Sequence, residues 1–279
     1  MIAFYPTVAR DQVSRIRTSR VLLTASSYAA SEVYRYGKVR GALPVPVLPE
    51  WVTERAADSG GFVASRKWGD YRYTLEQYVE WLYAWRPQWA AMMDYCCEPE
   101  LAVVTRERQN KTTANIVRTW QAYRDVPWAW VPTIQGLEVE DYERHTRELK
   151  PIIEEMQAHY GLDSAFRVGI GTLCRRASVA MIHDVTRAVA AILPGIPLHL
   201  WGIKLGALQS PMALPESVVS VDSAAWNGLF GSDREEWKQS GMPQRVWSWE
   251  VAYERYRGKV AAALAQPKQL SLLDCEVAQ

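Results

Sequence analysis

Residues 56–62 read Ala-Ala-Asp-Ser-Gly-Gly-Phe. Two alanines precede an aspartate, and a glycine-rich turn follows it directly. Such a stretch is typical of a buried parallel strand that ends at an acidic residue. In a closed parallel barrel, the carboxyl ends of the strands meet at one face, and active sites lie there. Asp58 is therefore the first candidate functional residue.

Six more short apolar runs have the length of buried parallel strands. They cover residues 21–25, 89–94, 128–134, 166–170, 198–203 and 218–221. Other segments repeat apolar residues every three or four positions, as on one face of a helix. These segments cover residues 75–85, 149–160, 182–192 and 244–265. Thr74 and Gln77 form a predicted capping box before the first of them, and Pro194 with Gly195 ends the third.

Strand and helix alternate along the whole chain, which predicts a parallel sheet covered by helices. Seven or eight such units favour a (β/α)8 barrel of the TIM type, and an open doubly wound sheet is the alternative. The barrel is predicted to occupy residues 1–266 as one domain, with residues 267–279 as a C-terminal tail. A chain of 279 residues, 48% of them hydrophobic, is long enough for one such domain.

Composition argues against several classes of protein. The four cysteines, at positions 96, 97, 174 and 275, have no zinc-ligand spacing, so we expect no metal and no zinc module. Their scarcity suits a reducing compartment. The N-terminus lacks the apolar core of a signal peptide, and no apolar run approaches the ~20 residues that span a bilayer. We therefore expect a soluble cytoplasmic protein, and no motif indicates a cofactor.

The net charge of +1 does not itself indicate a nucleic-acid partner, but the basic residues are unevenly distributed. Residues 10–40 and 106–124 are both rich in arginine and lysine. Either stretch is suited to follow a phosphate backbone. Either is explained equally well as solvated surface charge.

Polar residues follow the apolar runs at four further positions: Asp94, Gln135-Gly136, Gly169-Ile170-Gly171 and Asp222. An aspartate in such a position is costly to bury unless it is paired or functional, although a strand-end aspartate also often caps the next helix. Trp226, close behind Asp222, is a candidate wall of the site. Cys174 is interpreted as a buried apolar residue. The scattered histidines are interpreted as structural or surface residues: His145, His159, His183 and His199.

The order of these elements resembles a known family. Residues 58–62 are similar to the DSGGFQ signature of queuine-type tRNA-guanine transglycosylases, with Val63 in place of the final glutamine. That family has, in the same order, a base-recognising aspartate, a Gln-Gly pair, a glycine-rich strand end and a late nucleophilic aspartate. The resemblance covers residues 22–231, which is most of the chain.

Two departures separate this chain from the tRNA enzymes. It lacks their CxCxxC…His zinc site, and residues 222–228 read Asp-Ser-Ala-Ala-Trp-Asn-Gly where those enzymes carry a Thr-Arg element. Residues 169–176, which read Gly-Ile-Gly-Thr-Leu-Cys-Arg-Arg, and residues 221–226 instead resemble the DpdA branch. The short chain is similar to phage-type members of that branch, which has a similar fold and inserts 7-deazaguanines into DNA in place of guanine.

The resemblance implies base exchange by two displacements at the anomeric carbon of the sugar. Asp222 is implied as the nucleophile that forms a covalent deoxyribosyl-enzyme, and Asp58 as the group that moves protons to and from the bases. Asp94 would accept hydrogen bonds from N1 and N2 of the base, and Gln135 would donate to O6. The other implied base-binding residues are Ser59, Gly60, Gly61, Gly136, Gly169 and Gly171.

The implied partners are DNA with a flipped-out or single-stranded guanine and a free 7-deazaguanine base, such as 7-cyano-7-deazaguanine, as co-substrate. Arg175 and Arg176 are candidates for holding the flanking phosphates, and a solvated pair at a helix start is the alternative. Three other functions stay open: exchange in tRNA, a non-catalytic nucleic-acid-binding paralogue, and an unrelated barrel enzyme for small metabolites.

Beyond Pro267, residues 269–273 read Gln-Leu-Ser-Leu-Leu, which resembles the short peptides by which bacterial DNA enzymes bind the sliding clamp. An extended segment after a proline is free to leave the domain, so its leucines are able to enter an apolar cleft. The residues predicted to bind the clamp are Gln269, Leu270, Leu272 and Leu273. Packing of these leucines on the barrel is the alternative.

Overall fold

The computed structural model describes residues 2–98, 104–161, 165–173, 178–227 and 249–268. Its strands form one parallel sheet that curves into a nearly closed barrel, which confirms the predicted fold class. In chain order the strands are β1 (Ala3–Val8), β2 (Arg20–Thr24), β3 (Glu54–Asp58), β4 (Trp89–Ala91), β5 (Ala129–Val131), β6 (Thr133–Ile134), β7 (Val168–Ile170), β8 (Leu198–Leu200) and β9 (Val218–Ser223).

One stretch of chain pairs with both ends of the sheet. It was predicted as a single strand, and Pro132 divides it into β5 and β6. On one side, β5 pairs with β4, and the Val131 carbonyl accepts a hydrogen bond from the Met92 N–H at 3.0 Å. On the other side, β6 pairs with β7, and the Pro132 carbonyl accepts from the Gly169 N–H at 2.9 Å. Proline has no N–H to donate, so the ladder is interrupted at this residue. The two short strands therefore connect the two ends of the sheet, and this connection is here called the seam.

A helix follows every strand except β1 and β5, and these helices cover the barrel. They are α1 (Ala25–Tyr36), α2 (Gly61–Val63) with a following π-helical turn (Ala64–Trp68), α3 (Leu75–Trp85), α4 (Thr105–Tyr123), α5 (Val139–Tyr160), α6 (Val179–Ile192), α7 (Leu205–Gln209) and α8 (Trp249–Ala265). The capping box of Thr74 and Gln77 is confirmed at the start of α3. The predicted last helix is confirmed from Trp249 to Ala265, and residues 244–248 lie outside the described part of the chain.

The strand β1 is not predicted by the sequence pattern, yet it occupies the centre of the sheet. It pairs with β2 on one side and β9 on the other, with Tyr5 opposite Asp222 and Thr7 opposite Leu22. Its run of apolar residues is broken by Pro6 and Thr7, which conceals the strand. The consequence for the site is that the N-terminal strand lies directly beside the strand that carries Asp222.

Aromatic side chains fill much of the interior, and Trp81, Trp89, Trp130 and Trp226 are among the largest that are fully buried. Within the part of the chain that the structure describes, no helix is both long and apolar enough to cross a membrane. Lys268, just beyond Pro267, donates through Nζ to the carbonyl oxygens of Leu208 and Ser210 at 2.7 and 2.9 Å. The residues predicted to bind a clamp lie outside the described residues: Gln269, Leu270, Leu272 and Leu273.

Gly136→Ala is expected to destabilise the barrel, because a Cβ at Gly136 would lie 2.6 Å from the ring of Tyr142 and 2.8 Å from its backbone nitrogen. Tyr142 is fully buried, and its hydroxyl donates to the Gly171 carbonyl at 2.7 Å, so it cannot retreat freely. We expect the free energy of unfolding in urea to fall by about 1–3 kcal/mol.

Gly258→Ala is the matched control, because Gly258 lies in α8 with no atom within 4 Å of an added Cβ. An alanine in a helix interior is expected to stabilise the protein by about 0.5–1 kcal/mol. Equal effects of the two substitutions would contradict the close packing of Gly136 on Tyr142.

Candidate active site

The carboxyl ends of the strands open into a cavity of about 760 Å³, here called the mouth cavity. Six residues that the sequence nominated line it: Asp58, Gly60, Asp94, Gln135, Gly171 and Asp222. They come from five different strand ends that are far apart in sequence. The structure thus brings these six strand-end residues together around one cavity.

Asp222 lies near the end of β9 and is only 5% exposed. Its Oδ1 accepts from the Gly202 backbone N–H at 2.7 Å and lies 3.3 Å from His199 Nε2. Its Oδ2 accepts from the Thr7 hydroxyl at 2.5 Å. Three donors thus hold the carboxylate, and two of them, Thr7 and Gly202, belong to residues that line the mouth cavity.

Asp58 ends β3, and its Oδ1 accepts from the Gly60 N–H at 3.0 Å across the glycine-rich turn. Burial raises the pKa of this carboxyl from 3.8 to about 7, and the charges of Asp94 and Asp222 add to the rise. The Gly60 hydrogen bond opposes it. Near neutral pH the group is therefore able both to give and to take a proton, which general acid–base chemistry requires.

Asp94 follows β4, and both its oxygens already have donors. Oδ1 accepts from the Ser59 hydroxyl at 3.2 Å, and Oδ2 accepts from the side-chain amide of Gln135. The Tyr71 hydroxyl fixes the Asp94 backbone, since it accepts from the N–H at 3.0 Å and donates to the carbonyl at 2.9 Å. Burial raises the pKa of Asp94 to about 6, and the hydrogen bonds from Gln135 and Ser59 limit the rise.

Gln135 links Asp94 to the neighbouring strand end. Its Nε2 donates to Asp94, and its Oε1 accepts from the Thr172 hydroxyl at 2.6 Å. The His145 imidazole accepts from the Gln135 backbone N–H at 2.9 Å through Nδ1, which agrees with a structural role for that histidine. The side-chain amide of Gln135 is therefore oriented before any ligand enters, with one N–H used and one remaining.

The other nominated residues support the cavity without lining it. Ser59 is fully buried and acts through Asp94. A Cβ at Gly61 would collide with the Asp94 carboxylate, so the absence of a side chain there makes room for Asp94. Gly136 packs on Tyr142 and Gly169 on Trp201, and neither is among the lining residues.

Several residues at the site carried no signal in sequence. Thr7 and Gly202 bond Asp222, and Trp201 and Lys204 line the mouth cavity, with Lys204 as the one cation among the described lining residues. His199, interpreted from sequence as structural or surface, is fully buried against Asp222. None of these stands in a local motif, so only the strand pairing reveals them.

Two other expectations about the mouth have different outcomes. Trp226 was expected to form a wall of the site, but it is not among the residues that line the cavity. Its indole N–H donates to the Thr7 carbonyl at 3.0 Å and so supports β1, whose Thr7 hydroxyl bonds Asp222. Arg175 and Arg176 lie outside the described residues, as does Cys174. Among the described residues, no group of three or more His, Cys, Asp and Glu side chains has the arrangement of a metal site.

The model of a family described as DpdA, DeoxyPurine in DNA protein A, matches residues 9–246. None of the curated proteins compared with the chain matches it. The matched range contains all three of the aspartates that line the mouth cavity.

Asp58→Asn is expected to stabilise the protein at neutral and higher pH, because it removes a carboxyl whose ionisation burial opposes. Since the folded-state pKa is raised, this carboxyl costs stability progressively as the pH rises from about 4, where it ionises in the unfolded chain, to about 7, where it ionises in the folded protein. Thermal unfolding at pH 5 and pH 8 should therefore show a larger gain in Tm for Asp58→Asn at pH 8.

Glu50→Gln is the matched control, because Glu50 is an exposed carboxylate. Its Tm should stay close to that of the wild type at both pH values. A gain for Asp58→Asn that is the same at pH 5 and pH 8 would contradict a raised pKa of Asp58.

Proposed function

The chain belongs to the DpdA family, DeoxyPurine in DNA protein A, and on that basis we propose that it exchanges guanine in DNA for a free 7-deazaguanine base, such as 7-cyano-7-deazaguanine. The family match supports a transglycosylase-like role in DNA modification. The observation that carries the proposal is the convergence of Asp58, Asp94 and Asp222 in one cavity, each with a different environment.

Asp222 is the proposed nucleophile. Among the described residues, Oδ1 has two donor groups, whereas Oδ2 has one, the Thr7 hydroxyl. We therefore assign the attack to Oδ2, which keeps a free lone pair. A bond forms between Oδ2 and the anomeric carbon while the bond from that carbon to guanine breaks, and the bonding electrons leave with guanine.

Asp58 is the proposed proton carrier. Protonated Asp58 gives its proton to the departing guanine, and the resulting carboxylate takes a proton from the ring nitrogen of the entering base. That nitrogen then attacks the anomeric carbon from the opposite face and displaces the Asp222 carboxylate, so the configuration of the sugar is retained overall. A pKa of about 7 lets Asp58 serve both steps near neutral pH.

Asp94 is the proposed base reader. With a pKa of about 6 it is ionised at neutral pH, and its oxygens have further lone pairs for N1–H and N2–H of the base. Guanine and 7-deazaguanine present the same edge there, so one pocket suits both. The remaining N–H of Gln135 is suited to donate to O6, which keeps the role that the resemblance implies for this residue.

The target nucleotide must leave the double helix, because the stacked duplex hides both the base edge and the anomeric carbon. The mouth cavity has room for a flipped nucleotide. Lys204, exposed at its rim, is a proposed contact for a flanking phosphate, together with Arg175 and Arg176. Exchange in tRNA is the second candidate, and the DNA-directed family match favours the first.

Asp222→Ala is expected to abolish covalent capture of DNA. When guanine-containing single-stranded DNA is mixed with the protein and a free 7-deazaguanine, then denatured, the wild type should carry a covalent adduct and the variant none, with exchange lowered at least about 10³-fold. Glu50→Ala, an exposed acid, should keep the adduct. An adduct that persists in folded Asp222→Ala would exclude Asp222 as the nucleophile.

Asp94→Asn is expected to weaken binding of the free base about 10- to 100-fold, because the amide replaces a charged acceptor by a neutral group with one acceptor oxygen. Equilibrium binding of 7-cyano-7-deazaguanine, followed by calorimetry, measures the effect. Glu50→Gln again serves as the control for loss of one negative charge. Unchanged affinity in folded Asp94→Asn would remove this residue from the base pocket.

The C-terminal tail is proposed to bind the sliding clamp, on the strength of its sequence alone. Tethering would raise the concentration of the enzyme at newly made DNA. A peptide of residues 268–274 should bind the clamp of the host or phage with a micromolar-scale Kd, and Gln269→Ala with Leu272→Ala should abolish binding. The absence of binding by both the peptide and the full chain would refute this contact without affecting the exchange reaction.

A further inference from the structure

A row of hydrogen-bonded side chains leads from the floor of the barrel to Asp222. Arg167, just before β7, donates through Nη1 to the Ser220 hydroxyl at 2.8 Å. The same hydroxyl lies 2.8 Å from His199 Nδ1, and His199 Nε2 lies 3.3 Å from Asp222 Oδ1. Ser220 and Asp222 are two residues apart on β9 and so point to the same side of the strand.

The donors and acceptors in this row determine where the protons lie. The ionised Asp222 carboxylate only accepts, so His199 Nε2 must carry a hydrogen. The Arg167 guanidinium only donates and stays charged, so a lone pair of Ser220 is committed to it. The Ser220 hydroxyl hydrogen is then available to His199 Nδ1, which accepts it in the neutral ring. All contacts are satisfied when His199 is neutral with its hydrogen on Nε2.

The surroundings of His199 oppose a second proton. The ring is fully buried, and burial lowers the pKa of His199, as does the positive charge of Arg167, while Asp222 acts in the opposite direction. Aromatic rings enclose the imidazole, with Trp201 at 4.3 Å, Trp89 at 5.0 Å and Tyr5 at 6.5 Å between ring centroids. The imidazole is therefore unable to turn over without displacing its neighbours.

We propose that Arg167, acting through Ser220, is a positioning residue that keeps His199 a neutral Nε2–H donor to the nucleophile Asp222. This inference rests on the proposed function only for its consequence in catalysis. A neutral donor orients Oδ1 without offering the nucleophile a proton or a full positive charge. When Oδ2 is bonded to the sugar, the same donor remains on Oδ1 and stabilises the carboxylate as the second displacement releases it.

The partly buried Arg167 is what distinguishes this row from an ordinary His–Asp pair. Without its charge, His199 would gain a proton more easily and form an ion pair with Asp222, which would make the carboxylate a weaker nucleophile. Arg167 is itself held in place, because its Nε donates to the Ala165 carbonyl at 3.0 Å and its guanidinium lies 4.8 Å from the Trp89 ring centre. The charged or titratable groups that face the imidazole are thus Asp222, Arg167 and Tyr5.

Nitrogen-15 NMR of the full chain labelled in histidine tests the proton positions directly. The spectrum of His199→Gln identifies the His199 signals among the four histidines. From pH 5.5 to 8, wild-type His199 should show an unprotonated Nδ1 and a protonated Nε2. A hydrogen on Nδ1, or a doubly protonated ring in the upper half of this range, would overturn the proposal.

A pair of substitutions separates charge from packing. Arg167→Lys keeps the charge and should keep His199 neutral, whereas Arg167→Met keeps most of the volume and should bring protonation of His199 into the measured range. One pH unit below its pKa, only about a tenth of His199 is neutral. The rate of covalent adduct formation in Arg167→Met, taken relative to wild type, should therefore fall about tenfold per pH unit below the NMR midpoint.

The affinity for the free base should be unchanged in both variants, because neither touches the base pocket. A folded Arg167→Met protein whose His199 stays neutral across the range would refute the role of Arg167. If the wild type shows the predicted proton positions but forms no adduct with DNA, the proposed function is refuted. The proposed proton positions on His199 are then still supported. If Arg167→Met does not fold, Arg167→Gln provides the same comparison, because it also removes the charge.

Discussion

Three carboxylates in one cavity are the constraint on which the rest of this site depends. Like charges so close cannot all be ionised cheaply, and the protein resolves the conflict differently for each. Three donors hold Asp222, and Ser59 and Gln135 donate to Asp94. Burial raises the pKa of Asp58 to about 7, and the hydrogen bonds from Gly60 and Thr24 oppose this rise. The differences in environment divide the chemical roles among residues of one type.

The barrel supplies these environments through strand order. Because β1 lies between β2 and β9, Thr7 reaches Asp222, and because β8 pairs with β9, His199 and Ser220 lie side by side. The seam at Pro132 lets one stretch of chain pair with both β4 and β7, which brings Gln135 to Asp94. The same pairing that closes the barrel therefore connects the base-reading residues.

The sequence predicted the barrel and the residues at strand ends, because both depend on local patterns of apolar and polar residues. Asp58, Asp94, Gln135 and Asp222 each follow a recognisable apolar run. Other parts of the site left no such pattern. The strand β1 is concealed by Pro6 and Thr7, and His199 lies in the middle of a buried strand, where a histidine has no distinguishing context. Gly136 and Gly169 belong to the Gln-Gly and Gly-Ile-Gly motifs that the sequence nominated. Tyr142 packs where a Cβ of Gly136 would lie, and Trp201 packs where a Cβ of Gly169 would lie, and only the packing reveals these contacts.

The central claim, that this chain of the DpdA family replaces guanine in DNA, is tested most directly by mass spectrometry of nucleosides. Purified full-length protein is incubated with guanine-containing single-stranded DNA and, separately, with tRNA, each with 7-cyano-7-deazaguanine. The incubation with DNA should release free guanine, and digestion of that DNA should then yield an equal amount of the deoxynucleoside of the 7-deazaguanine, while the tRNA should be unchanged. Incorporation into tRNA alone, or into neither polymer by folded protein that binds the free base, would contradict the account.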